Sequence, residues 1–102
     1  MRTVFAALAV ACCLPASALD LPPKPARLGL CAACHGDNGI APVPDAPHLA
    51  GQKEAYLRQA IAAYRSGARD VAAMRAATGA LGEADIDQLA RWYAAQPRAV
   101  VP

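Results

Sequence analysis

Two cysteines separated by two alanines are followed directly by a histidine in the segment CAACH, residues 31–35. This C-x-x-C-H pattern is the one through which a c-type haem is attached to a protein. The thiols of Cys31 and Cys34 each add to one haem vinyl group, and the two thioethers fasten the porphyrin edge to the backbone. His35 is then held beneath the iron, where an imidazole nitrogen serves as an axial ligand. The segment therefore predicts one covalent haem c and one iron ligand.

A C-x-x-C pair has two other uses, as a dithiol redox site and as half of a zinc site. A redox pair usually follows a strand of a βαβ pattern, and the sequence contains no such pattern. A tetrahedral zinc ion needs four ligands, and beyond the N-terminal apolar run the cysteines and histidines are only Cys31, Cys34, His35 and His48. Haem attachment is the favoured interpretation, and the other two remain as alternatives.

Met74 is the candidate for the second axial ligand. It is the one methionine besides Met1, and it lies 39 residues after His35, beyond a long predicted helix. A methionine thioether closes the iron site and raises its potential, whereas an open face favours oxygen or peroxide chemistry. Core packing is the ordinary alternative for a methionine. His48 is the competing ligand, although a histidine in a loop is more often a surface side chain.

The N-terminus has the pattern of an export signal. Arg2 is the basic residue, residues 4–14 are an apolar run, and the Ala-Ser-Ala of residues 16–18 is a small-residue cleavage pattern. The run is shorter than the about 20 residues of a membrane-spanning helix. We therefore expect a cleaved signal peptide over residues 1–18, a single domain over residues 19–102 with no transmembrane segment, and a periplasmic location.

Cleavage at this position also decides which cysteines remain. Cys12 and Cys13 lie in the apolar run and are removed. The two remaining cysteines both belong to the C-x-x-C-H motif, so the mature chain has no cysteines left for a disulfide framework. As an alternative, Cys12 follows Ala-Val-Ala and is a weak match to a lipidation site, which would leave a very short signal.

Charge and size restrict the function further. Ten Lys and Arg stand against eight Asp and Glu, with no dense basic patch, so nucleic-acid binding has no support. A chain of this size forms one small domain with a marginal core. A buried porphyrin would supply much of the missing apolar mass.

Apolar spacing predicts an all-α fold. Apolar residues of the segment 52–66 recur at helical intervals, and Gly67 is placed to end that helix. Asp70 is the predicted cap of a short helical turn. The prolines and glycines of residues 36–49 predict a rigid loop. The predicted elements are three main helices and one short turn, over residues 25–34, 52–66, 83–96 and, for the turn, 71–77.

Residues 30–96 resemble a small class I cytochrome c, nearest to the bacterial c4, c5 and c553-like groups. The matching segments are CAACHGDNG (31–39), PHLAGQ (47–52) and MRAATGALGEADIDQLARWYAAQ (74–96). The resemblance implies the small cytochrome c fold around one covalent haem. It also implies that the Pro47 carbonyl accepts a hydrogen bond from the proximal histidine, that Leu49 packs on the haem and that Tyr93 leans inward. Pro47, Leu49 and Tyr93 are therefore expected to be cofactor-binding residues, together with the two cysteines.

The resulting functional prediction is an exported, non-enzymatic electron carrier with His35 and Met74 as iron ligands. Its partners would be redox protein donors and acceptors of a respiratory chain, such as a membrane oxidase or a dehydrogenase. The second hypothesis is a non-catalytic haem subunit bound permanently to a larger periplasmic or membrane oxidoreductase. A third, enzymatic or gas-sensing, hypothesis requires an open iron position.

Overall fold

The computed structural model describes residues 2–11 and 20–99, and the structured part is built from helices. In chain order the helices are α1 (Gly29–His35), α2 (Glu54–Ser66), α3 (Ala72–Thr78) and α4 (Glu83–Ala94). No strand occurs in these two ranges, and the all-α prediction is confirmed. The predicted cleavage site at residues 16–18 and the cysteines Cys12 and Cys13 lie outside the described residues.

The first helix begins later than the sequence predicts. The amide of Leu28 donates to the carbonyl of Pro25 at 3.1 Å, a bond of the tight i→i−3 type, and the first i→i−4 bond runs from Ala32 to Leu28 at 2.9 Å. Three prolines in the segment 22–25 lack amide donors and favour extended backbone before each of them. Residues 25–28 therefore form a turn that leads into α1.

The core lies between α2 and α4, and α3 also packs on α2. Its buried apolar side chains come from the turn before α1, from α2, from the α3–α4 connection and from α4: Leu28, Leu57, Leu81, Ile86, Leu89, Ala90 and Tyr93. A fully buried side chain of this kind contributes about 1.5–3 kcal/mol relative to its exposed state. The helix pair α2–α4 is thus the framework on which the other elements are held.

The predicted end of α2 at Ser66 is confirmed, but α2 begins at Glu54 rather than at residue 52, and α4 ends at Ala94 rather than at residue 96. Gly67 ends α2 in the left-handed region at φ +86°. At the start of α4, where Gly82 has no side chain to act as a cap, the carboxylate of Asp85 accepts the Gly82 amide at 3.0 Å. The predicted Asp70 cap is wrong, because α3 has no side-chain cap and Asp70 instead pairs with Arg75 at 3.1 Å.

The connection between α1 and α2 is irregular but well anchored. The carbonyl of Gly39 accepts the amides of Leu49 at 2.8 Å and Ala50 at 3.1 Å, which closes the loop on itself. Gly39 has φ +79°, and a Cβ atom added there would lie 2.6 Å from the Ala50 nitrogen. Only glycine provides both the backbone angle and the close approach.

The variant Gly39→Ala is expected to lower the free energy of unfolding of the haem-loaded protein by about 1–3 kcal/mol, because of the strained φ and the clash. Gly29→Ala is the matched control, since a Cβ there meets no atom within 4 Å. Denaturant unfolding followed by circular dichroism measures both variants. Equal unfolding midpoints for the two would contradict the role assigned to Gly39.

Candidate haem site

A cavity of about 600 Å³ is bounded by α1, the loop after it, α2 and α3. This volume falls within the range of about 300–1,000 Å³ that is common for pockets holding organic ligands. Its wall is mostly apolar, with side chains that include Leu49, Leu57, Ala60, Ile61 and Leu81. A large, flat and apolar cofactor is the kind of group that such a wall accommodates.

The C-x-x-C-H residues lie on one part of this wall. Cys31, Cys34 and His35 all line the cavity, because α1 places positions 31, 34 and 35 on one helix face. Cys31 is half-buried, and burial raises the pKa of its thiol, which disfavours the thiolate used by dithiol redox sites. Cys34 is exposed at the cavity edge. Both thiols are thus accessible from the cavity, as covalent haem attachment requires.

His35 is held in a defined orientation. The residue is 7% exposed, and its Nδ1 lies 2.9 Å from the carbonyl oxygen of Pro47. Because a carbonyl only accepts, Nδ1 carries the hydrogen and Nε2 keeps its lone pair. An acceptor bonded to the ring nitrogen that does not bind the metal fixes the tautomer of a metal-binding histidine and increases its basicity. The geometry therefore leaves Nε2 as the atom available for iron.

Met74 reaches the same cavity from α3. Its side chain is half-buried and lines the wall, although 39 residues separate it from His35 in the sequence. The hydroxyl of Thr78 donates to the Met74 carbonyl at 2.8 Å, which supports the last turn of α3. Two side chains that ligate haem iron in electron carriers thus share one cavity.

His48 also lines the cavity, but its ring already has another role. Its Nδ1 accepts the amide of Ala41 at 2.8 Å, which closes a second turn of the loop. A neutral ring in that state carries its proton on Nε2, so neither nitrogen offers a free lone pair. This hydrogen bond favours Met74 over His48 as the second ligand.

The structure places the remaining predicted residues in two groups. Pro47 and Leu49 line the cavity. Tyr93 lies in the core, 1% exposed, and its hydroxyl donates to the Gly36 carbonyl at 2.9 Å. Burial raises the pKa of this hydroxyl, and the nearby Cys31 and Asp37 add to the effect, so it stays a donor. Tyr93 therefore fixes the backbone directly after the haem motif.

Trp92 makes a parallel hydrogen bond, whose acceptor the sequence did not predict. Its Nε1 donates to the Asp37 carbonyl at 2.6 Å, next to the bond made by Tyr93. The adjacent Trp and Tyr in the last helix could have indicated such bonds, since buried Tyr and Trp side chains usually find a hydrogen-bond acceptor. Together they join α4 to the end of α1.

The zinc alternative is not supported by the geometry. Within residues 2–11 and 20–99, no three His, Cys, Asp or Glu side chains lie close enough together to hold a metal ion. The cysteines, His35 and the apolar wall instead fit a covalently bound haem. Cys31 and Cys34 would fasten it, and His35 and Met74 line the same cavity.

Comparisons with known proteins agree with this geometry. The family model described as "Cytochrome c" matches residues 28–94. Cytochrome c-554(548) of Halomonas halodenitrificans is 38% identical over 73 residues, which cover 69% of this chain and 88% of that protein.

Two longer proteins are also similar. Cytochrome c4 of Pseudomonas aeruginosa is 36% identical over 75 residues, covering 74% of this chain but 37% of that protein. A "Thiosulfate dehydrogenase electron acceptor" of Thiomonas intermedia is 38% identical over 80 residues, covering 78% of this chain and 36% of that protein. The chain thus spans little more than a third of these two relatives. The haem motif, the cavity and the family match over residues 28–94 lead to one conclusion. The chain belongs to the cytochrome c family and is an electron-transfer protein with a covalently bound haem c.

Proposed function

We propose that this chain is a single-haem electron carrier in which His35 and Met74 are the two axial ligands and no substrate binds the iron. The observation that carries the proposal is that both side chains line one apolar cavity, with His35 oriented by Pro47. Bound haem supplies one-electron chemistry through its iron. With both axial positions taken by protein side chains, the remaining task of the chain is to hold that site still.

The residues around the ligands suit this task. Cys31 and Cys34 anchor the cofactor to α1, and the Pro47 carbonyl keeps the His35 ring from turning. The thioether of Met74 on α3 favours the reduced state. The apolar wall limits access of water, so that little rearrangement accompanies a change of charge at the site.

Export to the periplasm is part of the proposal. The apolar N-terminal residues that are described bury nothing: the exposed fractions are 89% for Val4, 91% for Phe5, 88% for Leu8 and 82% for Val10. Exposed apolar side chains on a segment that does not pack on the folded domain indicate that the segment has a role other than folding. A signal peptide over residues 1–18 has such a role. Among the described residues, no helix has the length and apolar character needed to span a membrane.

The partners we propose are other redox proteins of a respiratory chain. A small electron carrier meets its redox partners through small, short-lived contacts. One relative is named as an electron acceptor of thiosulfate dehydrogenase, which makes a dehydrogenase a reasonable class of donor to test.

A second candidate, a haem subunit bound permanently to a larger oxidoreductase, would use the same site, so the cavity geometry supports it equally. Size-exclusion chromatography of a native periplasmic extract distinguishes the two. The free carrier elutes, by haem absorbance, at the mass of one small domain, because transient contacts of this size do not survive dilution. Haem absorbance confined to a large complex would contradict the free carrier.

The variant Met74→Leu tests the second ligand. Because leucine keeps the volume of methionine, we expect the fold to be retained, at a cost below about 1.5 kcal/mol. The weak far-red absorption of sulfur-ligated ferric haem is expected to disappear, and carbon monoxide is expected to bind the reduced variant rapidly. His48→Ala, the control at the competing ligand, keeps the band. Survival of the band in Met74→Leu, or its loss in His48→Ala, would overturn the assignment.

Expression with the full N-terminus in a bacterium that attaches haem c tests export. We expect haem-loaded protein in the periplasmic fraction, with an intact mass equal to residues 19–102 plus one haem. Replacement of Ala18 by a large residue is expected to block cleavage, because the signal peptidase requires small side chains there. Haem-loaded protein that keeps residues 1–18 after export would contradict the assigned cleavage site.

A further inference from the structure

The charged side chains of the cavity wall are few. Among the described residues, Arg69 is the one Lys or Arg that lines the cavity, and Asp45 is the one carboxylate. Haem carries two propionate groups on the porphyrin edge away from the vinyl groups that react with cysteine. A carboxylate at a mostly apolar wall is costly unless a charged partner is present. In the described part of the chain, Arg69 is therefore the one cation available on this wall to pair with a propionate.

Arg69 is held in place by its own surroundings. It lies just after α2, and its amide donates to the Ala63 carbonyl at 3.1 Å. The guanidinium carbon lies 4.4 Å from the ring centroid of Tyr64, a half-buried side chain that also lines the cavity. A guanidinium stacked on an aromatic face loses little further freedom when it pairs with a carboxylate.

Neighbouring arginines have carboxylate partners, whereas Arg69 has none among the described residues. In the described part of the chain the arginine–carboxylate pairs are Arg58–Asp87, Arg58–Glu54, Arg65–Glu83, Arg75–Asp70 and Arg91–Glu54. No described carboxylate lies within 4.0 Å of Arg69. The adjacent Asp70 is already bound by Arg75, so the nearest anion in the sequence is taken.

We propose that Arg69, stacked on Tyr64, pairs with a haem propionate and is a positioning residue for the cofactor. The proposal rests on the proposed haem-binding function of this cavity. The cation has two effects: it keeps the propionate ionised across the physiological range, and it favours the reduced iron by adding positive charge beside the site. Arg65 and Arg75, whose side chains are paired elsewhere, do not line the cavity.

The test is the reduction potential of the haem-loaded protein, measured from about pH 5 to pH 9 so that a carboxyl with a raised pKa titrates within the range. In Arg69→Gln the ratio of reduced to oxidised protein, at a fixed ambient potential and high pH, is expected to fall roughly threefold to tenfold. The pKa of the unpaired propionate rises, so a new segment appears in which the potential decreases as pH increases.

Two further variants separate this role from simple loss of charge. Arg75→Gln removes the same charge close by, from a side chain that does not line the cavity, and is expected to keep the parent's pH profile. Arg69→Lys keeps the charge and is expected to recover most of the potential. An Arg69→Gln profile equal to that of the parent or of Arg75→Gln would overturn the proposal, as would an Arg69→Lys variant that behaves like Arg69→Gln.

The other titratable groups are the same in the parent protein and in all of its variants, so they do not account for a difference between the pH profiles of the reduction potential. Those on the cavity wall come from α1, the loop and α2, with none from α3: Cys31, Cys34, His35, Asp45, His48, Tyr56 and Tyr64. Proton NMR of the ferric protein provides a second readout, because the methylene signals of the paired propionate are expected to shift in Arg69→Gln alone. The far-red absorption band tests the ligands separately. If the parent protein lacks this band, the proposed ligands His35 and Met74 are wrong. If the parent protein has the band but Arg69→Gln does not change the pH profile of the potential, only the role of Arg69 is overturned.

Discussion

The hydrogen bond between His35 Nδ1 and the Pro47 carbonyl is the constraint on which the candidate site depends. It joins a helix to a loop 12 residues away, and it decides which imidazole nitrogen faces the cavity. The loop holds that carbonyl in place because two amides donate to Gly39 and tie its ends, and because His48 accepts the amide of Ala41. Backbone geometry at a glycine thus controls the orientation of a side chain that would bind iron.

Different helices supply the two sides of the site, and the α2–α4 framework keeps them in position. α1 carries the attachment residues, α3 carries Met74, and α2, which lines the cavity between them, packs on α4. The fully buried residues Ile86, Leu89 and Ala90 of α4 make that packing rigid. A site built on helices held this way undergoes little change when its charge changes, which is the requirement for fast electron transfer.

Most of the fold was predictable because its signals are local. The helical spacing of residues 52–66, the glycine that ends α2 and the proline-rich loop depend on near neighbours in the sequence. The C-x-x-C-H motif is equally local, so the cofactor could be predicted from five residues. The later start of α1 and the failed Asp70 cap reflect local competition, since an i→i−3 turn and an ion pair with Arg75 replaced the expected bonds.

Long-range contacts were less accessible to sequence reasoning. Nothing near Arg69 in the sequence indicates that it lines the cavity, and nothing near Trp92 indicates an acceptor at Asp37, 55 residues earlier. Tyr93 was assigned to the cofactor by resemblance, and the structure places its hydroxyl on the Gly36 backbone instead of the cavity wall. Such contacts depend on how elements pack, which residue type and spacing do not specify.

The bonds from Trp92 and Tyr93 to the backbone after α1 have a consequence for the order of events during synthesis. They span 55 and 57 residues, and contacts of such separation form late because the whole intervening chain must first be closed. The haem motif therefore gains this part of its tertiary support only after the last helix has been made. Until then its two thiols lie on a loosely held segment and are accessible for attachment to haem. Folding after attachment then fixes the haem-bound segment in place.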